Sequence, residues 1–406
     1  MIEIMRQSVL PGYIMGGTPM PRQLLTELGM IANQYLVYAY ALGLSFLVAL
    51  GLTEAVRRFA LRRNIVDHPG ARKIHVAPIP LLGGVAVVIT FYGFLLIHVC
   101  ALLVMERYSL GWLEENLRLS LGEGHRTKLA GIAGGGLLIF ALGLWDDVRR
   151  LSPWAKLAGQ LVAAGLLVWC GISIKLFFVD SPWLPGPIAA WLSAAVTITW
   201  IVFMTNSLNL LDNMDGLCGG VSVIAACSFF LAVQSHETEQ EFVRLLLVVF
   251  AGAMGGFLYH NLNPARIFMG DAGALFSGFM LATVAVVGTF HVETTSSRIA
   301  VTAPLVALSV PLFDTFSVMY LRWRGGQSIM LGDKRHFSHR LVDLGMTTRQ
   351  AVEFILLVAA VVGLGGALLP TTTMSGTLII LGQTIGVFLL IVLLMNAGKN
   401  RGGNRQ

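Results

Sequence analysis

Residues 187–217 read PIAAWLSAAVTITWIVFMTNSLNLLDNMDGL, and this stretch decides the fold class. Its first part, 187–205, carries no charge. It is about the length that one helix needs to cross a hydrocarbon core of ~30 Å. Its second part, 206–217, places Asn206, Asn209, Asp212 and Asp215 at successive three-residue steps. On a helix these four share one face. No basic residue in the segment neutralises them. Carboxylates and amides at the end of an apolar run are costly without a ligand. The stretch therefore reads as a membrane span that delivers a polar stripe to the bilayer surface.

The rest of the chain repeats the first half of that pattern. Of 406 residues, 55% are apolar and only 12% charged, and mean hydropathy is +0.74. A water-soluble domain carries roughly a quarter charged residues, so a soluble enzyme is excluded. Collagen-like, disordered and disulfide-framework classes are excluded too. There is no glycine period and no long polar tract. The four cysteines (Cys100, Cys170, Cys218, Cys227) lack a C-x-x-C spacing and read as small apolar core residues.

Eleven apolar runs have spanning length: 34–56, 82–105, 128–145, 155–177, 187–205, 216–234, 241–260, 272–290, 299–321, 350–369 and 376–396. They are continuous rather than alternating, which predicts an all-α polytopic membrane protein and not a barrel. Residues 1–33 read as a polar, non-cytoplasmic tail without the apolar segment and cleavage site of a removable signal peptide. Residues 34–396 form one transmembrane domain, and 397–406 a basic cytoplasmic tail. Lys and Arg divide 19 to 9 between the two sides. The positive-inside rule makes the richer side cytoplasmic. Eight of the ten Asp fall there as well. The net charge of +6 suits an anionic leaflet or a phosphate-bearing substrate, and no nucleic-acid-binding motif occurs.

The cytoplasmic loops carry the chemistry. In 57–81, Arg57, Arg58, Arg62 and Arg63 sit where lipid headgroups would meet them. Lys73 and His75 read as phosphate contacts. Gly83 and Gly84, at a helix entry, would let backbone N–H groups approach an anion. Asp146 and Asp147 form an acidic pair that needs a shared cation or proton. Lys156 is either a snorkelling anchor or a phosphate contact. Asp271 stands between Gly270 and Gly273, where backbone approaches a ligand closely. Phe268 is an interface aromatic or a platform for a base. His336, His339 and Arg340 lie in a basic setting without a nearby Cys. They suit a diphosphate better than zinc. Asp314, inside the ninth run, is either functional or a partner in an interhelical hydrogen bond.

Carboxylates, amides and cations at one membrane face are what phosphoryl transfer requires. That chemistry is mostly positioning and charge stabilisation. A Mg²⁺ held by few carboxylates keeps positions open for diphosphate oxygens. A transporter of a nucleotide sugar or phosphorylated lipid is the rival. It would place polar residues near the midplane, often within an inverted repeat, and no such repeat is evident. A structural scaffold leaves the 206–215 stripe unexplained.

The motifs RKxHxxPxPxxGG, DD, NxxNxxDxxDGL, FMGDxG and HxxHR occur in this order over roughly residues 60–350. They resemble those of the polyprenyl-phosphate N-acetylhexosamine-1-phosphate transferases (glycosyltransferase family 4). The D-K-x-H form of the last loop is closer to the GlcNAc branch than to the MurNAc-pentapeptide branch. The resemblance implies transfer of a sugar 1-phosphate from a UDP-N-acetylhexosamine, UDP-GlcNAc first and UDP-MurNAc-pentapeptide as the alternative. The acceptor would be undecaprenyl phosphate and the by-product UMP, a first step of cell-envelope polysaccharide synthesis at the bacterial inner membrane. It implies Mg²⁺, with Mn²⁺ as a substitute, at Asp271 and Asn209. Asp146, Asp147 and Asp212 are the implied catalytic acids. Asp215, Phe268, Asn261 and Asn206 are the implied uridine contacts. Lys73, His75, Lys156, His336, His339 and Arg340 are the implied phosphate contacts. A homodimer is compatible with the glycine-rich spans. Two positions depart from the family's pattern: Asn213 stands where Gly is common, and Ser338 precedes His339 where a second His is common.

Overall fold

The computed structural model describes residues 14–15, 18–19, 22–68, 78–108, 123–174, 186–233, 238–288, 302–327 and 335–403. The expected Lys73 and His75 lie outside these residues. Helices dominate. In chain order they are α1 (Arg22–Arg62), α2 (Gly83–Tyr108), α3 (Glu123–Val148), α4 (Pro153–Trp169), α5 (Gly186–Leu211), α6 (Leu217–Ala232) and α7 (Thr238–Asn261). There follow α8 (Gly270–Val287), α9 (Ala303–Ala307), α10 (Ser309–Arg324), α11 (Phe337–Asp343), α12 (Thr348–Leu368) and α13 (Met374–Gly403). A one-turn 3-10 helix, Leu369–Thr371, and two short antiparallel ladders complete the described elements. One pairs β1 (Ile14–Met15) with β2 (Thr18–Pro19), and the other pairs β3 (Val66–Asp67) with β4 (Ile79–Pro80).

Among the described residues, eight helices are long and apolar enough to cross a membrane. The other three expected runs fall on shorter helices. The run at 155–177 becomes α4, which ends at Trp169, and that at 216–234 becomes α6, of 16 residues. The run at 299–321 is split at Leu308 into α9 and α10. Pro304 and Pro311 flank this break, and neither supplies an N–H to a continuous ladder. Helix also extends past the expected domain edges. α1 begins at Arg22, within the stretch expected as a tail, and α13 runs to Gly403. The chain is a multi-pass membrane protein.

α8 is the pole of the bundle. Every residue from Ala272 to Val284 is buried, as a helix apolar on all sides must be. α2, α3 and α5 pack against it. The approach is close enough to constrain composition. A Cβ on Gly143 of α3 would lie 2.6 Å from the Asp271 carbonyl oxygen and from the Ala272 Cα. That contact presses the end of α3 onto the start of α8. The outer helices show the opposite pattern. Leu378, Ile379, Ile385, Leu389, Leu390, Leu393 and Leu394 of α13 are all exposed, the apolar surface a helix presents to lipid.

Candidate functional site at the helix ends

The acidic pair, the amide stripe and Asp271 come together where α3 and α5 end and α4 and α8 begin. Lys156 Nζ lies 2.6 Å from Asp146 Oδ2 and 2.5 Å from Asp271 Oδ2. Asn209 Nδ2 donates to Asp271 Oδ1 at 3.1 Å. Asp146 also accepts the Leu151 N–H at 2.6 Å, which fixes the turn between α3 and α4. Ser152 accepts from the Ala155 N–H and Pro153 opens α4, a sequence-encoded start that places Lys156 in its first turn.

Asp147 has a different task from its neighbour. Its Oδ1 accepts the Asp271 N–H at 2.7 Å and its Oδ2 the Ala272 N–H at 3.0 Å. It therefore caps α8 from another helix, placing a negative charge at the positive end of the helix dipole. Gly270 makes this possible. Its φ is +73°, and a Cβ there would lie 2.6 Å from Asp147 Oδ2.

Gly83 and Gly84 do not offer their N–H groups to an anion. Gly83 donates to the Phe268 carbonyl at 2.9 Å and Gly84 to the Met269 carbonyl at 2.8 Å. The Phe268 N–H donates to the Pro80 carbonyl at 2.8 Å. The glycines thus dock the start of α2 on the segment leading into α8. The half-buried Phe268 is held by its backbone.

The expected uridine contacts serve mainly to build the rim. Asp215 Oδ2 accepts from Asn263 Nδ2 and from the Ala265 N–H, both at 3.0 Å. Asn261 is 3% exposed. Its Oδ1 accepts the Gly216 N–H at 3.0 Å and its Nδ2 donates to the Ile267 carbonyl at 2.9 Å. This amide clamps two loops together and offers no edge to a base. Asn206 exchanges hydrogen bonds with Gln160 of α4 at 2.6 and 3.2 Å. Gln160 escaped the sequence reading because it sits in a run read only as apolar.

The cationic loop arrives on α11. His336 precedes its first turn, and the His336 and His339 ring centroids are 6.4 Å apart. Arg340 donates through Nη2 to Ser317 Oγ at 2.5 Å, and its Nε has no partner among the described residues. Burial holds the Arg340 guanidinium below its usual range, against the opposing charge of Asp314. Ser338 Oγ donates to Asn213 Oδ1 at 2.6 Å. The two positions that depart from the family's pattern therefore touch each other, 125 residues apart in sequence. Their contact ties the cationic helix to the acidic turn.

Asp212 tests whether a divalent cation fits. No hydrogen bond to its carboxylate occurs among the described residues. Burial, joined by the charges of Asp271, Asp147 and Asp215, pushes its carboxyl up to about 8. An acidic cluster so short of positive charge suits a hard cation. Lys156 supplies one such charge, between Asp146 and Asp271. Among the described residues no group of three His, Cys, Asp or Glu forms a ready-made metal cage. Mg²⁺ needs no such cage, since it uses one or two carboxylates and fills its shell with water and substrate phosphate.

Comparison with known proteins shows what the whole chain is similar to. The glycosyl transferase family 4 model matches residues 129–289, from α3 to just beyond α8. A Bacillus subtilis (strain 168) protein named "Probable undecaprenyl-phosphate N-acetylglucosaminyl 1-phosphate transferase" is 30% identical over 364 residues. The match covers 89% of this chain and 92% of that protein. A decaprenyl-phosphate N-acetylglucosaminephosphotransferase of Mycolicibacterium smegmatis is 30% identical over 372 residues, 86% of this chain and 88% of its own. A phospho-N-acetylmuramoyl-pentapeptide-transferase of Lacticaseibacillus paracasei is 36% identical over 156 residues, 36% of this chain and 47% of its own.

Proposed function

The chain belongs to glycosyl transferase family 4, and from that premise we propose that it makes a polyprenyl-diphosphate sugar. The donor is UDP-GlcNAc and the acceptor undecaprenyl phosphate in the inner membrane of a bacterium. An oxygen of the lipid phosphate attacks the sugar-bearing phosphorus of the donor. The bond from that phosphorus to the bridging diphosphate oxygen breaks, and UMP leaves with the electron pair. The products are undecaprenyl-diphospho-GlcNAc and UMP.

One observation carries this reading. Asp146, Lys156, Asp271 and Asn209 form a continuous chain of contacts at a membrane face, and Ser338 joins the cationic helix to the adjoining turn. Acidic groups and cations suited to phosphate thus lie on neighbouring helix ends, which supports a site that serves both a lipid phosphate and a soluble nucleotide sugar. The excess of Lys and Arg on this side supports a cytoplasmic face. Lys156, His336, His339 and Arg340 hold the diphosphate and lipid phosphate by charge-assisted donation. Asp215 and Phe268, on the rim, frame the uridine. A Mg²⁺ would be held by Asp271, Asn209 and Asp212, and would neutralise diphosphate charge as the bond breaks. No strong base is needed at the acceptor. A phosphate monoester has a second pKa of about 6 and is largely dianionic at neutral pH.

The test uses the full chain, purified in detergent, with undecaprenyl phosphate, Mg²⁺ and a panel of UDP-sugars including UDP-MurNAc-pentapeptide. Mass spectrometry of the lipid is expected to show diphospho-GlcNAc, with UMP released in equal amount. Asp271→Asn is expected to abolish both. Movement of a labelled UDP-sugar across vesicles without a new lipid product would support transport and overturn the proposal.

A further inference from the structure

Asp314 is a buried acid that the transfer scheme leaves without a task. It sits on α10, 1% exposed, while His336 is 5% exposed. Its two oxygens face two donors. Oδ2 lies 2.8 Å from His336 Nδ1, and Oδ1 accepts the Phe337 N–H at 2.5 Å. A carboxylate that accepts a backbone N–H on one oxygen turns its other oxygen to the ring as an acceptor. Nδ1 must then carry the proton. Nε2, the other ring nitrogen, makes no hydrogen bond among the described residues. Phe337 is itself fully buried against Phe313 and Phe354, so the loop cannot swing away without uncovering it.

We propose that Asp314 is a positioning residue that fixes the tautomer and orientation of His336, reserving Nε2 for a phosphate oxygen of the substrate. This deepens the transferase reading and rests on it. The logic is that of any imidazole backed by a carboxylate. With Nδ1 donating to the carboxylate, a second proton carried on Nε2 makes a charge-assisted hydrogen bond to an anion. The same carboxylate caps the start of α11, so ring direction and helix position are set by one group. Removing a supporting partner of this kind typically costs about 10–100-fold in activity.

The experiment compares Asp314→Asn, His336→Gln and the double variant in the full chain. Asparagine keeps an acceptor for the Phe337 N–H but turns an amide donor toward Nδ1. The ring must then carry its proton on Nε2. Nitrogen NMR of histidine-labelled protein is expected to show His336 protonated at Nδ1 in the parent and at Nε2 in Asp314→Asn. Turnover with UDP-GlcNAc is expected to fall about 10–100-fold, with little further loss when Asp314→Asn is added to His336→Gln. Additive losses, or an unchanged His336 tautomer, overturn the proposal. If Asp314→Asn does not accumulate, Asp314→Glu serves, with parent-like Nδ1 protonation and partial recovery of turnover expected. A glutamate variant whose ring signal moves to Nε2 refutes it. The NMR readout needs no transfer reaction, so it stands apart from a failure of the transferase reading.

Discussion

Replacing Asp147 with asparagine separates a supporting role from a chemical one. In the parent, one carboxylate accepts two N–H groups of the first turn of α8, at 2.7 and 3.0 Å. Asparagine retains one acceptor and points an amide donor at the second N–H. One charge-assisted bond is lost, about 1.5–3 kcal/mol. The interaction of a full charge with the helix dipole goes too, about 0.5–2 kcal/mol. Relief of repulsion from Asp146 and Asp271 returns part of this, leaving a net loss of about 2 kcal/mol. Spread over a chain of 406 residues, that lowers the thermal midpoint by only a few degrees. The consequence for activity is larger, because the turn that loosens carries Asp271. Thermal unfolding in detergent and turnover are therefore expected to fall together. Addition of excess UMP with Mg²⁺ should restore part of the midpoint by mass action. An Asp147→Asn protein with the parent's midpoint and no turnover would refute the capping argument.

Three further outcomes follow from the same contacts. Lys156→Gln leaves Asp146 and Asp271 without the ammonium between them. Because Lys156 and Asp271 are 23% and 27% exposed and Asp146 13%, the expected loss is about 2 kcal/mol rather than the 3–5 of a fully buried pair. Added Mg²⁺ should raise the midpoint of this variant more than that of the parent. Asp212 predicts a pH dependence in chelator. Its carboxyl is pushed up to about 8 from an ordinary 3.8, so the folded state holds this proton more tightly than the unfolded chain. Its contribution is full below the ordinary carboxylate range and is lost as pH rises through about 8. Asp212→Asn should flatten that slope in midpoints measured from pH 5 to 9. A double-mutant cycle on Asn213→Gly and Ser338→Ala should give a coupling of about 0.5–1.5 kcal/mol, read from unfolding midpoints; strict additivity would dissolve the tether.

Much of the bundle is legible in hydropathy, because each spanning helix must satisfy its own backbone within one continuous apolar run. Among the described residues, eight of the eleven runs are helices long enough to cross a membrane, and the other three fall on shorter helices. Pro304 and Pro311 break 299–321 without interrupting its apolar character, and the run at 155–177 outlasts α4. The chemistry of the site is legible in residue type, since Asp146, Asp271, Lys156 and Asn209 have no apolar reason to stand at span ends. Their pairing is not legible. Nothing in spacing says that Asp146 shares Lys156 while Asp147 caps a helix that begins 123 residues later. Gly83 and Gly84 mislead for the same reason. A free N–H at a helix entry and one bonded to a neighbouring loop look alike in sequence. Asp314 leaves two readings open in sequence, because its partners, His336 and Phe337, lie in a different element. Lys73 and His75 lie outside the described residues.

The unbroken burial of 272–284 insulates the proposed reaction centre mechanically. A bilayer that thickens, thins or changes composition acts on helices such as α13, whose leucines meet it, and these answer by tilting. Asp271 rides on a rod surrounded by protein, so such strains are absorbed at the perimeter before they reach it. A catalyst that consumes a component of its own solvent thereby holds its working parts steady against that solvent's strains.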